Sequence, residues 1–288
     1  MLIDTHTHLN FLAFEKDRDA VITRCLDNNV WMINVGTNLK TSKEVIELAE
    51  KHSQGVFASV GLHPINLDTG LVKIKFDENE GKYLEQDFNF NQYRKLATSP
   101  KVVAIGEIGL DYYWKPKTTG RKQRFFEKQK DLLLKQLELA KELNLPVIFH
   151  CRMAHDELIK ILNTNYLILN TNLKGVVHCF TGTWEQAQQY MDMGLFLGFN
   201  GIIFKLNLDE IIKKTPLERV LIETDCPYLP PPLPAEALAK AGPMISRNEP
   251  LYVKYIAQRI AEIKNLSFGK VAETTTNNAK TLFNFGQD

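Results

Sequence analysis

Long apolar runs are missing from this chain. Nothing approaches the ~18 consecutive apolar residues of a membrane span. The start Met1-Leu2-Ile3-Asp4-Thr5-His6 also lacks a charged segment followed by an extended apolar one. A cytoplasmic protein with no membrane contact is therefore expected. A dominant charge is missing as well: 35 Lys and Arg stand against 34 Asp and Glu, a net charge of +1. Without a global basic field, the chain has no means of drawing in a long tract of duplex nucleic acid, so any such contact must be local. Cysteine is scarce. The four, Cys25, Cys151, Cys179 and Cys226, form no CxxC pair, which excludes a zinc knuckle and argues for reduced thiols.

What is present is material for a core, 44% hydrophobic residues over 288 positions, arranged in a strand-then-helix rhythm. The apolar start is followed by a helical stretch at 16–29, a strand at 30–35, a helix at 41–52 and a strand at 56–60 that runs into Gly61-Leu62-His63-Pro64. The polar segment 65–100, with Asp77-Glu78-Asn79-Glu80, is expected to hold one helix and a surface excursion. A fourth strand ends at Glu107. Phe125, Leu132, Leu133, Gln136, Leu139 and Ala140 recur near helical spacing and predict an amphipathic helix over 121–143. Pro146 then stops that helix and opens a fifth strand. A helix at 154–163, a strand to His178, a helix at 184–193, a strand at 195–199, a short helix at 207–213 and a strand at 219–222 complete the series.

Eight strands alternating with helices predict an α/β fold, the parallel (β/α)₈ TIM-type barrel of ~250 residues. Extra C-terminal helices are expected at 250–264 and 267–283. The proline run at 227–234 reads as a rigid loop over the barrel mouth, because the roughly fifty residues after it are short for an independent domain. One domain over 1–288 is expected.

The chemistry-bearing residues sit where that fold keeps its active sites, at the C-terminal strand ends. His6 and His8 are spaced i, i+2, so on a strand both rings point the same way and can share one cation. Glu107, His150, His178 and Asp225 each follow their own apolar run. A single histidine closing a strand is often only a hydrogen-bonded core residue. Recurrence at four strand ends argues for one assembled metal site. Cys151, Cys179 and Cys226 each directly follow one of these residues, so alternation should aim their thiols at the surrounding helices and away from a metal. Asp4, on the face of His6, either orients that ring or caps the barrel base. Glu223 alternates away from Asp225 and reads as a supporting group.

The ordered blocks His6-Thr7-His8, Gly61-Leu62-His63-Pro64, Gly106-Glu107-Ile108-Gly109-Leu110-Asp111-Tyr112-Tyr113, His150-Cys151-Arg152, His178-Cys179-Phe180 and Glu223-Thr224-Asp225-Cys226-Pro227-Tyr228-Leu229 resemble the signature of TatD-family metal-dependent deoxyribonucleases. Arg247-Asn248-Glu249-Pro250 and Asn278-Ala279-Lys280-Thr281-Leu282-Phe283 extend that resemblance over essentially the whole chain. The chain departs from the pattern mainly between His63 and Lys101 and in the prolines after Leu229, both expected at the mouth, where substrate is chosen.

The resemblance implies a metal-dependent hydrolase, a 3'-5' exonuclease acting on the ends of single-stranded DNA, with no stable protein partner. It implies two divalent ions, Mg, Mn or Zn. His6, His8 and Asp225 would hold one, His150 and His178 the other, and Glu107 would bridge them. Paired cations lower the pKa of a shared water and neutralise charge on attacking and leaving oxygens. Four imidazoles favour a transition ion, whereas magnesium prefers oxygen ligands. Glu107 and Asp225 are the catalytic candidates, Asp225 either as a plain ligand or also as acceptor of the water proton. His63 and Arg152 are the phosphate-binding candidates, with an ion pair to a loop carboxylate as the bland reading of Arg152. Tyr112 and Tyr113 either stack on a base or pack. D-aminoacyl-tRNA deacylation is the alternative within reach of the same chemistry. A cyclic-amide or lactone amidohydrolase is another, and a metal-stabilised binding protein is the non-enzymatic one.

Overall fold

Eight short apolar segments form parallel strands paired strictly in chain order: β1 (Leu2–Thr7), β2 (Val30–Val35), β3 (Val56–Val60), β4 (Val102–Asp111), β5 (Val147–Arg152), β6 (Gly175–Val177), β7 (Phe196–Phe199) and β8 (Val220–Ile222). The computed structural model describes residues 1–73, 83–169, 173–232 and 247–285. The acidic run at 77–80 and the end of the proline run at 233–234 lie outside them. Between the strands run helices α1 (Arg18–Asp27), α2 (Leu39–Glu50), α3 (Phe90–Leu96), α4 (Thr119–Leu143), α5 (His155–Leu169), α6 (Trp184–Asp192) and α7 (Asp209–Lys214), followed by α8 (Val253–Lys264) and α9 (Phe268–Phe283). This is the expected (β/α)₈ barrel with its C-terminal helices.

The sheet nearly closes on itself, and the seam between β1 and β8 is joined beyond the strand ends. Thr7 bridges Cys226 in parallel register. Asp225 N donates to His6 O at 2.8 Å and His8 N to Cys226 O at 3.0 Å. Two apolar layers result. Ile3, Ile33, Phe57, Val103, Ile148 and Leu221 point into the barrel, whereas Met32, Val60, Ile105, Phe149 and Ile256 fill the space between strands and helices. The last turn of α9 supplies Leu282 and Phe283 to the inner layer. Burying such side chains contributes roughly 1.5–3 kcal/mol each, so α9 stoppers the barrel floor. Asn278 fixes it there by donating to Leu217 O and Val220 O, each at 2.8 Å.

Local chemistry accounts for the boundaries that differ from expectation. Helix α2 begins at Leu39 because Asn38 and Thr41 form a capping box. Helix α5 continues past residue 163 to Leu169. Strand β4 does not end at Glu107. The register with β5 skips that residue, pairing Gly106 with Ile148 and Ile108 with Phe149, and the strand runs on to Asp111. Such a bulge re-aims a side chain without ending the strand. Gly106 and Gly109 make it possible, since a Cβ would lie 2.6 Å from Ile148 Cβ at the first and 1.9 Å from His150 O at the second. His150 likewise lies inside β5, which continues to Arg152.

Candidate metal centre

At the C-terminal mouth the bulge turns Glu107 into the middle of the histidines. Its Oε2 lies 3.3 Å from His6 Nε2. Its Oε1 faces His150 Nδ1 at 2.7 Å, His178 Nε2 at 3.0 Å and His63 Nε2 at 3.4 Å. One carboxylate thus serves two sets of rings. On the Oε2 side, the i, i+2 pair sits as strand alternation requires, with His6 Nε2 and His8 Nε2 3.2 Å apart. Asp225 Oδ1 is 3.4 Å from His8 Nε2 and 3.8 Å from His6 Nε2. Three groups of donor atoms compact enough for a cation follow: His6, His8 and Asp225; His6, Glu107 and His178; His63, Glu107 and His150.

The donor set fits a cation. His8 Nδ1 lies 3.0 Å from Val35 O, and because a carbonyl only accepts, Nδ1 carries the proton and Nε2 presents its lone pair. Between His6 Nε2 and His8 Nε2 at most one neutral ring can donate. A cation in contact with both satisfies two lone pairs at once. Imidazoles and carboxylates without thiolates suit borderline or hard divalent ions.

Protons and opposed charges couple the groups of the cluster. Burial alone would raise Glu107. The charges of His63, His178 and His6 and the hydrogen bond with His150 outweigh it and hold the carboxyl well below its ordinary range. For His150 burial favours the neutral ring, but bonds to Asp111 and Glu107 push it up to about 9. His178 is likewise raised against burial, chiefly by Glu107 and Glu223. Burial and the neighbouring His178 lower His6. Asp225 is held low despite burial by His8 and His178.

Several residues support the cluster in roles that the sequence did not single out. Asp111 accepts from His150 Nε2 at 3.1 Å. Its spacing of four from Glu107 along one strand was the available signal. Gln129 and Gln136, fully buried on α4, each bracket one backbone unit at the mouth. Gln129 bonds Asp111 N and O at 2.9 and 3.1 Å, and Gln136 bonds Leu62 N and O at 2.7 and 3.0 Å. Two glutamines seven apart in an apolar helical stripe could have shown this. Asn248 holds the Asp225 loop by donating to Thr224 O, Tyr228 O and Leu229 O.

Glu223 supports from behind, with Oε1 3.3 Å from His178 Nδ1 and accepting from Cys179 N at 2.7 Å. Asp4 neither caps the base nor touches the His6 ring. It accepts from His6 N at 3.3 Å and binds Thr224 across the seam.

His63 stands among the candidate ligands, 4.2 Å from the His150 ring. Arg152 lies outside the cluster, exposed, with its guanidinium 3.8 Å over the Tyr113 ring. No carboxylate among the described residues pairs with it. Tyr112 is buried and stacks on Phe126, so it packs, whereas Tyr113 is exposed. Cys151 and Cys226 are buried in the outer layer, Cys151 under the Tyr190 hydroxyl of α6. Cys179 departs from expectation. β6 ends at Val177, Cys179 takes a positive φ of 45°, and its thiol meets Asn200 instead of a helix.

Comparison with known proteins agrees over the full length. The family model for TatD related DNase matches residues 3–284. A Bacillus subtilis protein called an uncharacterized metal-dependent hydrolase, YabD, is 36% identical over 98% of this chain and 99% of its own. The Escherichia fergusonii 3'-5' ssDNA/RNA exonuclease TatD is 35% identical over 98% of each chain. The crystal structure of YjjV, a TatD homolog from Escherichia coli, superposes with a TM-score of 0.77 at 31% identity, covering 98% of each chain.

Proposed function

Because this chain belongs to the family of TatD-related DNases, we propose that it is a metal-dependent phosphodiesterase that releases nucleotides from the 3' end of single-stranded DNA or RNA. The observation that carries this reading is the division of Glu107, one oxygen toward His6 and the other toward His63, His150 and His178. A carboxylate so placed suits a site for two cations. In this reading the protein acts in the cytoplasm as a single domain over 1–288.

His6, His8 and Asp225 would hold one divalent ion, His150 and His178 the other, with Glu107 between them. When bound, the ions would supply positive charge for the reacting phosphate and lower the pKa of an attacking water. The remaining work falls to the protein. Asp225 Oδ1, beside His8, is placed to accept the proton of that water. His63 Nδ1 accepts from Ile65 N at 3.1 Å, which leaves Nε2 as the nitrogen that carries a proton. That N–H points into the cluster and can donate to a phosphate oxygen. Arg152, held on Tyr113 and free of a carboxylate partner among the described residues, offers a planar fork to the next oxygen.

The test is a hydrolysis panel after chelation, with Mg, Mn or Zn returned singly. Oligonucleotides labelled at one end or the other should give a ladder shortening from the 3' end. Arg152→Ala should lower kcat/KM for them by about 10- to 150-fold, the 1.5–3 kcal/mol of a charge-assisted hydrogen bond. Release of D-amino acids from D-aminoacyl-tRNA, or opening of a cyclic amide or lactone, with no nucleotide release under any metal, would replace this reading.

A further inference from the structure

Beside the metal cluster, on the same rim of the barrel, lies a cleft of about 380 Å³ lined by Leu71, Val72, Lys73 and the β4–α4 loop with Arg121. Among the described residues its lining holds four cations, Lys73, Lys115, Lys117 and Arg121, and no acid. In a chain of net charge +1 this is a strong local excess. No carboxylate among the described residues pairs with any of the four. Arg121 is anchored by donating to Leu71 O at 2.9 Å, which ties the two sides of the cleft together.

Aromatic surface connects the cleft to the cluster. Asp111 Oδ2 accepts from His150 at the metal site, and Asp111 Oδ1 accepts from Tyr113 N at 2.9 Å. The Tyr113 ring carries Arg152 on one side and meets Trp114 edge-on, with centroids 5.1 Å apart. Trp114, 36% exposed, lines the cleft itself. Three residues of chain reach at most about 11 Å, so the Trp114 Cα lies within that distance of the Asp111 Cα. Exposed tyrosine and tryptophan leading from a reaction centre into a basic cleft is the construction that holds single strands: rings for the bases and cations for the phosphates.

We infer that Trp114 with Lys73, Lys115, Lys117 and Arg121 forms a strand-binding subsite. It takes the nucleotides that lie a few positions from the reacting 3' end of a single-stranded nucleic acid, while Tyr113 and Arg152 carry the strand between the two sites. This rests on the nuclease reading for the identity of the strand. An acidic peptide would match the lysines but leave the aromatic path unused.

Two readouts separate the subsite from the chemistry. For the metal-loaded wild type, kcat/KM should rise from a dinucleotide to a twelve-nucleotide strand. Lys73→Gln, Lys115→Gln and Lys117→Gln combined should largely abolish that rise. Binding of a non-hydrolysable phosphorothioate strand should lose about 0.7 from the slope of log K against log salt for each phosphate contact removed. Trp114→Ala should weaken the same binding about 5- to 150-fold, the scale of one lost base stack. Photocross-linking of an iodouracil strand to the unaltered protein should label the Trp114 peptide, which keeps the inference open to refutation if a variant folds poorly.

An unchanged length dependence and salt slope in the triple variant would overturn the subsite. So would cross-links that avoid the β4–α4 loop, or a polyglutamate that displaces the strand at equal charge concentration. Absence of nucleotide release by the wild type would instead overturn the nuclease reading, and the binding isotherms would still decide the cleft.

Discussion

Asp4 and Thr224 are joined by two hydrogen bonds across 220 residues of sequence: Thr224 N donates to Asp4 Oδ1 at 2.9 Å and Thr224 Oγ1 to Asp4 Oδ2 at 2.5 Å. Asp4 is fully buried, and this pair holds β1 against the segment that carries Asp225. Replacing Asp4 with alanine strands the Thr224 donors in the interior. The expected cost is about 1–3 kcal/mol, the scale of buried groups left unpaired. Urea unfolding measures it, and metal titration should show weaker binding, because His6 and Asp225 share the same seam. A variant as stable as the wild type would show that the seam is held elsewhere.

The purified protein should take up as many as two divalent ions per chain, the second more weakly because both share Glu107. Elemental analysis with titration of the chelated protein gives the number. His8→Ala should weaken one ion and largely spare the other, since His8 belongs to the group with His6 and Asp225 alone. Full stoichiometry after alanine replaces His6, His8, His150 and His178 together would remove the site assignment.

Glu107→Ala and Asp225→Asn should each lower kcat by about 10²–10⁴-fold while circular dichroism stays that of the folded barrel. The apolar layers that stabilise the fold do not include either residue. Near-normal turnover in either variant would contradict the mechanism.

Acid should weaken the fold through a histidine outside the site. His155, 8% exposed, has Nδ1 3.1 Å from the Tyr190 hydroxyl, while its Nε2 has no partner among the described residues. Burial holds its ring down to about 4, against about 6.5 in the unfolded chain. Between those values the unfolded state binds a proton that the folded state does not, so stability is complete above about pH 6.5 and falls toward pH 4. The loss from this residue is of order 2–3 kcal/mol. Urea midpoints at pH 7.5 and 4.5 should differ less in His155→Gln than in the wild type at equal metal loading. Equal pH dependence in the two would place the titration elsewhere.

Short-range pattern accounts for what was legible in the sequence alone. Apolar runs broken at helical intervals revealed eight strands and the helices between them, because backbone periodicity is local. The same periodicity brought His6 and His8 together, their Nε2 atoms 3.2 Å apart. The candidate ligands that meet at the mouth were readable because ionisable groups after buried runs need partners.

The barrel's closure decided the rest. The bulge at Glu107, which lets β4 run on to Asp111, depends on its register with β5 some forty residues later. That register set which carboxylate oxygen faces which ring, and it brought Asp111 to His150. The Asp4–Thr224 pair, the α9 stopper and the basic cleft likewise join segments far apart in the chain. Contacts of that kind depend on how strands pair and where loops return. A period of two or of 3.6 residues carries no information about either.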